Sequence, residues 1–409
     1  MTPRTPLRRV PLALAAAALV ASACAERITD SATPVAPNAP RMTVIPTTPY
    51  TAIDGGQTHA CGLASTGQLY CWGRNPVGQL GDSTAANSSV PVTVYQLGVT
   101  FTSFTAGPQH NCAVTSAGQA YCWGYNADSR LGDSTTTLPL RPIPVLPLGA
   151  VSFTGSLTAG NAHTCGLNAS GQAYCWGSNA WGQIGDSTTT SPFFPKAVRQ
   201  APGVTFTQVA AGNNFTCALD GTGQAWCWGY AAGGALGNNS VSTKRYPVTV
   251  SQPAGVTFTS VYTEYDHVCA LDTGGQAYCW GNNAWYQLGD NTTTTRKVPT
   301  AVLQPAGVTF TQLTLGGSFT CGLTSAGQAY CWGNNSNGQL GIGSTANPNP
   351  LPVAVSQPAG VTFTSIKAEQ AGVCGLDGNG QTWCWGANSW GQVGDGTTTQ
   401  RTTPVAVSH

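Results

Sequence analysis

Charged side chains are scarce in this chain. Of its 409 residues, 16 are Lys or Arg and 15 are Asp or Glu, 8 % together, where an ordinary soluble protein carries roughly 25 %. So few basic groups argue against a protein that holds nucleic acid by neutralising phosphates. The apolar run Val10 to Ala23 has 14 residues, short of the about 20 that span a bilayer. Good helix formers other than Ala are few, and Gly, Thr and Ser stand in their place, which argues against a helical protein. No two Cys lie at the two- to four-residue spacing of a zinc site, and no Asp-x-Asp-x-Asp-Gly loop offers a calcium site. The chain is nevertheless 41 % hydrophobic. That is ample for a core, and disorder would need low hydrophobicity with high charge.

Residues 1–23 read as an export signal. Arg4, Arg8 and Arg9 precede the apolar run, which ends Ala21-Ser22-Ala23-Cys24. Small residues followed by Cys resemble a bacterial lipobox, in which cleavage before Cys24 is followed by its lipidation. An ordinary secretory cut near Ala23, releasing the protein, is the other reading. Export removes three Arg and no acid, leaving 13 basic against 15 acidic groups, a net charge of −2. Residues 24–47 hold Cys24 and a Pro-, Ala- and Ser-rich tether with Pro34, Pro37, Pro40 and Pro46.

From residue 48 to 409 one unit recurs seven times. Its first Cys stands at 61, 112, 165, 217, 269, 321 and 374, and its second always ten positions later. The spacing between copies is 51 to 53 residues. Each unit holds four short pieces rich in β-branched and aromatic residues, as at Pro247–Val250, Val204–Val209, Thr216–Leu219 and Gln224–Trp228. A period near 50 built of four short strands predicts an all-β, seven-bladed propeller with four-stranded antiparallel blades. The first copy begins at its second piece, Tyr50–Ile53, and the last ends with a spare first piece, Pro404–Val407. The expectation is that Pro404–Val407 completes the blade begun by residues 50–73, so that the N- and C-terminal strands close the ring; Met42–Pro46 is the rival for that seat. A closed ring leaves no free sheet edge, and a monomer is expected.

Six residues after each first Cys stands a Gly, as Gly67 follows Cys61. A short hairpin loop needs a positive φ there, and such a loop sets the two Cys opposite each other on adjacent strands, within disulfide reach. Seven bridges are therefore expected: Cys61–Cys71, Cys112–Cys122, Cys165–Cys175, Cys217–Cys227, Cys269–Cys279, Cys321–Cys331 and Cys374–Cys384. Cys24 is the fifteenth and odd one. A Trp-Gly pair follows every second Cys, from Trp72-Gly73 to Trp385-Gly386, and suits packing between blades. Asp82, Asp133, Asp186, Asp290 and Asp395 occupy Gly-Asp-x-Thr turns. His59, His110, His163 and His267 share one slot, which Phe215, Phe319 and Gly372 fill elsewhere. Interruption of the set favours structural histidines over a ring of metal ligands, so no metal and no cofactor is expected.

The run Ala-Gly-x-x-His-x-Cys-x-Leu, then Gly-Gln-x-Tyr-Cys-Trp-Gly-x-Asn, then Gly-Gln-Leu-Gly-Asp resembles the repeat of the regulator of chromosome condensation family over residues 50–407. The resemblance implies a seven-bladed propeller closed by its termini. It also brings to mind guanine-nucleotide exchange on a small GTPase, which an exported chain of uniform repeat length, with no inserted wedge and no basic tail, does not suit.

Function is sought where copies depart from the repeat. The usual Gly at 56, 107, 160, 212 and 316 becomes Glu264 and Glu369. Blade 5 adds Tyr262, Tyr265 and Asp266, and its exit loop carries Trp285 and Tyr286; Trp390 and Trp181 stand in blades 7 and 3. Blade 6 offers Asn334, Asn335 and Asn337. Strand direction puts these loops on one face. An acidic and aromatic patch of Glu264, Tyr265, Asp266, Trp285, Tyr286, Glu369, Trp390 and Trp181 suits a protein partner, or alternatively a glycan; drift among tolerant loops is the competing account. No catalytic constellation is evident, so the chain is not read as an enzyme. Glu264 with Asp266, facing Glu369, is the one arrangement that could hydrolyse a glycoside. The protein is expected in the bacterial envelope, touching the membrane only through Cys24.

Overall fold

A computed structural model describes residues 48–408 apart from 97, 148–150 and 156. The signal, Cys24, the tether and Met42–Pro46 lie outside the described residues. Twenty-eight strands form seven four-stranded antiparallel sheets. These are blades 1 to 7, covering residues 50–93, 101–144, 158–197, 206–249, 258–301, 312–354 and 363–406. One 3₁₀ turn, Ala232–Gly234, replaces the usual loop start in blade 4. Among the described residues there is no α-helix, and no helix is long and apolar enough to cross a membrane. Within each blade the strands lie in chain order, the first against the central shaft and the fourth at the rim.

The expected closing strand is corrected. Pro404–Val407 does not join blade 1. Its strand, Arg401–Ala406, lies in blade 7, with Val405 opposite Cys384 and Ala406 opposite Trp383. Blade 1 is completed by its own Ser88–Thr93, with Val92 opposite Cys71. The Pro-Val strand is thus the last of its blade, not the first of the next. The reason lies in the loop before it. Asn75 accepts the Leu80 N–H at 2.8 Å and donates to Asp82 at 3.1 Å, while Asp82 takes the Thr84 N–H at 3.0 Å. Asn126, Asn179, Asn283 and Asn388 repeat the knot with Asp133, Asp186, Asp290 and Asp395. The knot folds the chain back upon the strand it has just left, and local pairing beats a ring-spanning one. The five Asp are therefore turn residues, as expected.

Closure comes from packing instead. Seven apolar clusters each join two neighbouring blades. The one between blades 7 and 1 holds Tyr50, Ile53, Trp72, Leu376, Val393 and Val407. There Tyr50 N–H donates to Gly380 O at 3.1 Å, and Trp72 Nε1–H to Gln392 O at 2.8 Å. The same indole bond recurs from Trp123, Trp228, Trp280, Trp332 and Trp385 to the preceding blade. All seven Trp are at most 1 % exposed. Gly73 needs its missing side chain, since a Cβ there would meet Thr58 O at 2.6 Å.

The hairpins are as expected. Gly67 has φ +80°, its N–H donates to Ala64 O at 2.9 Å, and Cys61 pairs with Cys71. All seven Cys pairs are bridged, with Cα atoms 4.1 Å apart.

Candidate functional site

The first and third strands of each blade end on one face. Arg74 N–H donates to Thr58 O and Tyr125 N–H to Gln109 O, both at 2.9 Å, tying the two loops of a blade together there. Trp181, Trp285 and Trp390 stand on this face at one equivalent loop position in blades 3, 5 and 7. They are 43, 44 and 42 % exposed. Each backbone N–H is fixed by the side chain of the Gln two residues on, at 2.8 to 3.0 Å. Trp181 packs on Tyr230 at 4.4 Å, and the Arg74 guanidinium lies 5.0 Å from the Trp390 ring. Trp285 has no such ring or cation partner among the described residues. Beside it Tyr286 has φ +62°, where blades 1, 3, 6 and 7 place Gly78, Gly182, Gly338 and Gly391. Tyr265, in the neighbouring loop, has φ +41°, and Asp266 is exposed. Blade 5 thus holds both aromatic side chains on a left-handed backbone, a conformation that costs on the order of 1–2 kcal/mol each.

Glu369 does not belong to the exposed patch. It is 4 % exposed, between blades 7 and 1. In blades 1, 3, 4 and 6 the residue three before the slot is Gly, because a ring fills the space: a Cβ at Gly56 would lie 2.3 Å from His59, and one at Gly316 would lie 1.9 Å from Phe319. Blade 7 inverts this, with Gly372 in the slot and the Glu369 carboxyl 3.2 Å from the place of its Cβ. Burial holds that carboxyl well above its ordinary range. Replacing Glu369 by Gly is expected to destabilise the protein by roughly 2 kcal/mol through the cavity, and adding Gly372→Phe, the blade 4 and 6 pairing, restores most of it. Glu369→Gln is tolerated. Urea unfolding of the three variants checks this.

Blade 5 keeps both Glu264 and His267. It does so by a tighter turn, in which Glu264 pairs directly with His267 around Tyr265 and Asp266. Glu264, partly buried, then lines the central shaft instead of the patch. Tyr262 lines the shaft too, and Asn335 is buried as a loop knot. The shaft is a cavity of about 430 Å³ walled by the first strands of all seven blades. It brings together Asp54, Glu264 and Lys367 from blades 1, 5 and 7. Lys367 Nζ lies 3.6 Å from Asp54 Oδ1. Burial first, then the Asp54 charge, push Glu264 up to about 8, against the opposing pull of Lys367. Asp54 and Lys367 were not singled out from the sequence, although both depart from Thr at the seventh position before the first Cys. A buried Glu369 has no access to a substrate, so the two-carboxylate arrangement weighed for glycoside hydrolysis is not formed.

The four histidines are spacers between blades. All are 0 % exposed. Nε2–H of His59 donates to Asn111 at 2.8 Å, and those of His110, His163 and His267 to Thr164, Thr216 and Thr320 at 2.8, 2.9 and 3.1 Å. Each acceptor sits in the next blade, one residue before its first Cys. The covariation is complete: after Phe215 and Phe319 that position holds Val268 and Val373, and after Gly372 it holds Ala60. Among the described residues no three His, Cys, Asp or Glu converge as metal ligands.

Fold and site together define a disulfide-stapled, seven-bladed repeat propeller with one loop face decorated by aromatics. The chain belongs to the RCC1-like domain family, which matches residues 141–409. The Regulator of chromosome condensation (RCC1) repeat matches residues 66–114, and a second form of it residues 50–79 and 101–130. The chain is similar to the ultraviolet-B receptor UVR8 of Arabidopsis thaliana, 27 % identical over 87 % of this chain and 81 % of that protein. Among solved structures, human WBSCR16 superposes with a TM-score of 0.76 at 23 % identity, over 84 % of this chain and 94 % of that one. Prp20p of Saccharomyces cerevisiae, a protein with binding properties toward Gsp1p and histones, gives 0.73 at 18 % identity, over 89 % and 87 %. At these identities the two structures speak to the fold.

Proposed function

We propose that this propeller is an exported binding module, held in the bacterial envelope by a lipid on Cys24, that docks a protein partner through the loop face around blade 5. The observation that carries the reading is the concentration of strain and exposure in that blade. Trp285 is exposed with no ring or cation partner among the described residues, the adjacent Tyr286 holds a left-handed backbone, and Tyr265 in the neighbouring loop holds another with its hydroxyl buried. Rigid aromatics with an adjacent carboxylate, here Asp266, are the composition of interface hot spots. Seven disulfides fit an oxidising compartment, and the protein-binding relative Prp20p supports a partner of protein nature. Trp181 and Trp390 extend the surface, and the chain acts as a monomeric scaffold without catalysis. An exposed aromatic face also favours the alternative of a glycan ligand.

A pulldown from envelope extract beside a glycan array decides between them. The triple variant Trp285→Ala, Tyr286→Gly, Trp390→Ala is expected to lose at least about tenfold in retention of the captured protein. Its melting temperature should hold or rise, because Gly relieves the strained backbone. Full retention by the variant removes the patch, and saturable glycan binding without a protein partner favours the lectin reading.

A further inference from the structure

We propose that the central shaft is a second binding site, for a small aliphatic amine whose ammonium group sits between Asp54 and Glu264. The cavity, about 430 Å³, is in the range of small-molecule sites. Its exposed wall is more polar than apolar, and the apolar residues among its lining, such as Phe104, Leu157, Val261 and Leu313, are buried behind it. Against this wall stand two carboxyl groups and one ammonium, Asp54, Glu264 and Lys367. Lys367 shows how an ammonium is received: its Nζ is 3.6 Å from Asp54 Oδ1, while Asp54 Oδ2 accepts the Ala106 N–H at 3.0 Å.

Glu264 is the group left over. Among the described residues no ion pair reaches it, and its carboxyl accepts the Tyr265 N–H. The shaft hydroxyls of Thr158 and Thr314 are already engaged by the N–H groups of Ala211 and Ala368, at 3.0 and 2.7 Å. Thr263 Oγ1, also on the shaft, is buried and without a partner among the described residues; the charged groups facing a ligand are the carboxyls and Lys367, and one more ammonium would balance the carboxyls. His267, directly across the strand pair from Glu264, is buried and neutral, with its pKa at about 3. Tyr262, Tyr265, Asp266 and, at the far end opposite Phe258, Asp272 are the remaining titratable groups of that hairpin, and the neighbouring first strands contribute Ala210, Ala211, Thr314 and Leu315, which do not titrate. With Glu264 near 8, the free site is mostly protonated at neutral pH. Binding of an ammonium then ionises Glu264 and releases its proton to solvent.

The site needs no protein partner, so its test is independent of the loop face. Titration calorimetry of the full chain would use 1,4-diaminobutane, with 1,4-butanediol as the uncharged control of similar length. Saturable binding is expected for the amine and none for the diol. Affinity should rise about eightfold from pH 7.0 to 8.5 as Glu264 loses its proton beforehand. Glu264→Gln should cost roughly 30-fold or more in affinity and abolish the pH dependence, with the melting temperature as folding control. Lys367→Met, which removes the competing ammonium, should bind more tightly. Absence of binding, equal binding of the diol, or a Glu264→Gln protein with wild-type affinity and pH profile overturns the proposal. If Glu264→Gln does not fold, weaker binding by Lys367→Met overturns it.

Discussion

Reduction of all seven disulfides is expected to unfold the propeller in the absence of denaturant. Each bridge joins residues 10 apart, and closing so short a loop removes roughly 2–3 kcal/mol of unfolded-state entropy. Seven together approach 20 kcal/mol, more than the 5–15 kcal/mol that ordinarily separates folded from unfolded states. The bridged sulfurs are at most 2 % exposed, so a reductant reaches them only through local opening. The experiment is therefore reduction in urea, followed by removal of urea with thiols kept reduced. Each bridge adjoins a Trp that is at most 1 % exposed, and its emission should stay red-shifted in the reduced chain. Removing one bridge alone, Cys217→Ala with Cys227→Ala, should lower stability by about 2–3 kcal/mol. A reduced chain that recovers native Trp emission would show that the seven inter-blade clusters suffice by themselves.

The second large effect is acid sensitivity with a stability maximum near pH 6.5. Burial holds His59 at about 4 and His163 and His267 at about 3, all three down from an ordinary value of 6.5. His110 is held well below its ordinary range by burial, then by Arg130 and the neighbouring rings. Below pH 6.5 the unfolded chain binds protons at these four positions and the folded chain does not. Stability then falls by about 1.4 kcal/mol per pH unit for each ring. Glu264 and Glu369 act in the opposite sense. Their raised pKa values stabilise the fold fully below about 4.5; the Glu264 contribution is lost as pH rises through about 8, and that of Glu369 as pH rises through its own raised value. Between pH 6.5 and 4.5 four rings oppose two carboxyl groups, and the net loss is about 2.7 kcal/mol per unit. Urea midpoints measured from pH 8 to 4.5 should trace this dome. The double variant His163→Phe, Thr216→Val reproduces the interface of Phe215 with Val268. It should flatten the acid limb by about 1.4 kcal/mol per pH unit. An unchanged slope would mean that this ring is not among the groups that titrate.

Much of the fold is legible in the residues because it is local. The Cys spacing of ten, the Gly six residues after the first Cys and the Asn-to-Thr loop knot each act within about a dozen residues. The inter-blade bond of the histidines was legible too, since Val or Ala replaces Asn or Thr wherever His is missing. Reading the slot alone, without the next blade, hid this. The make-up of the loop face was half legible. Trp181, Trp285, Tyr286 and Trp390 are where strand direction places them, but Glu369 filled a hole left by Gly372, and Glu264 turned into the shaft.

By itself the sequence determined seven four-stranded blades and the pairing of fourteen cysteines, because both follow from short-range spacing repeated seven times. Only the tertiary structure decided which sheet receives Pro404–Val407, since either seat satisfies the strand pattern and the loop knot chooses between them. Only it could bring Asp54, Glu264 and Lys367 to one cavity, because charges from blades 1, 5 and 7 meet when the ring closes and at no shorter range.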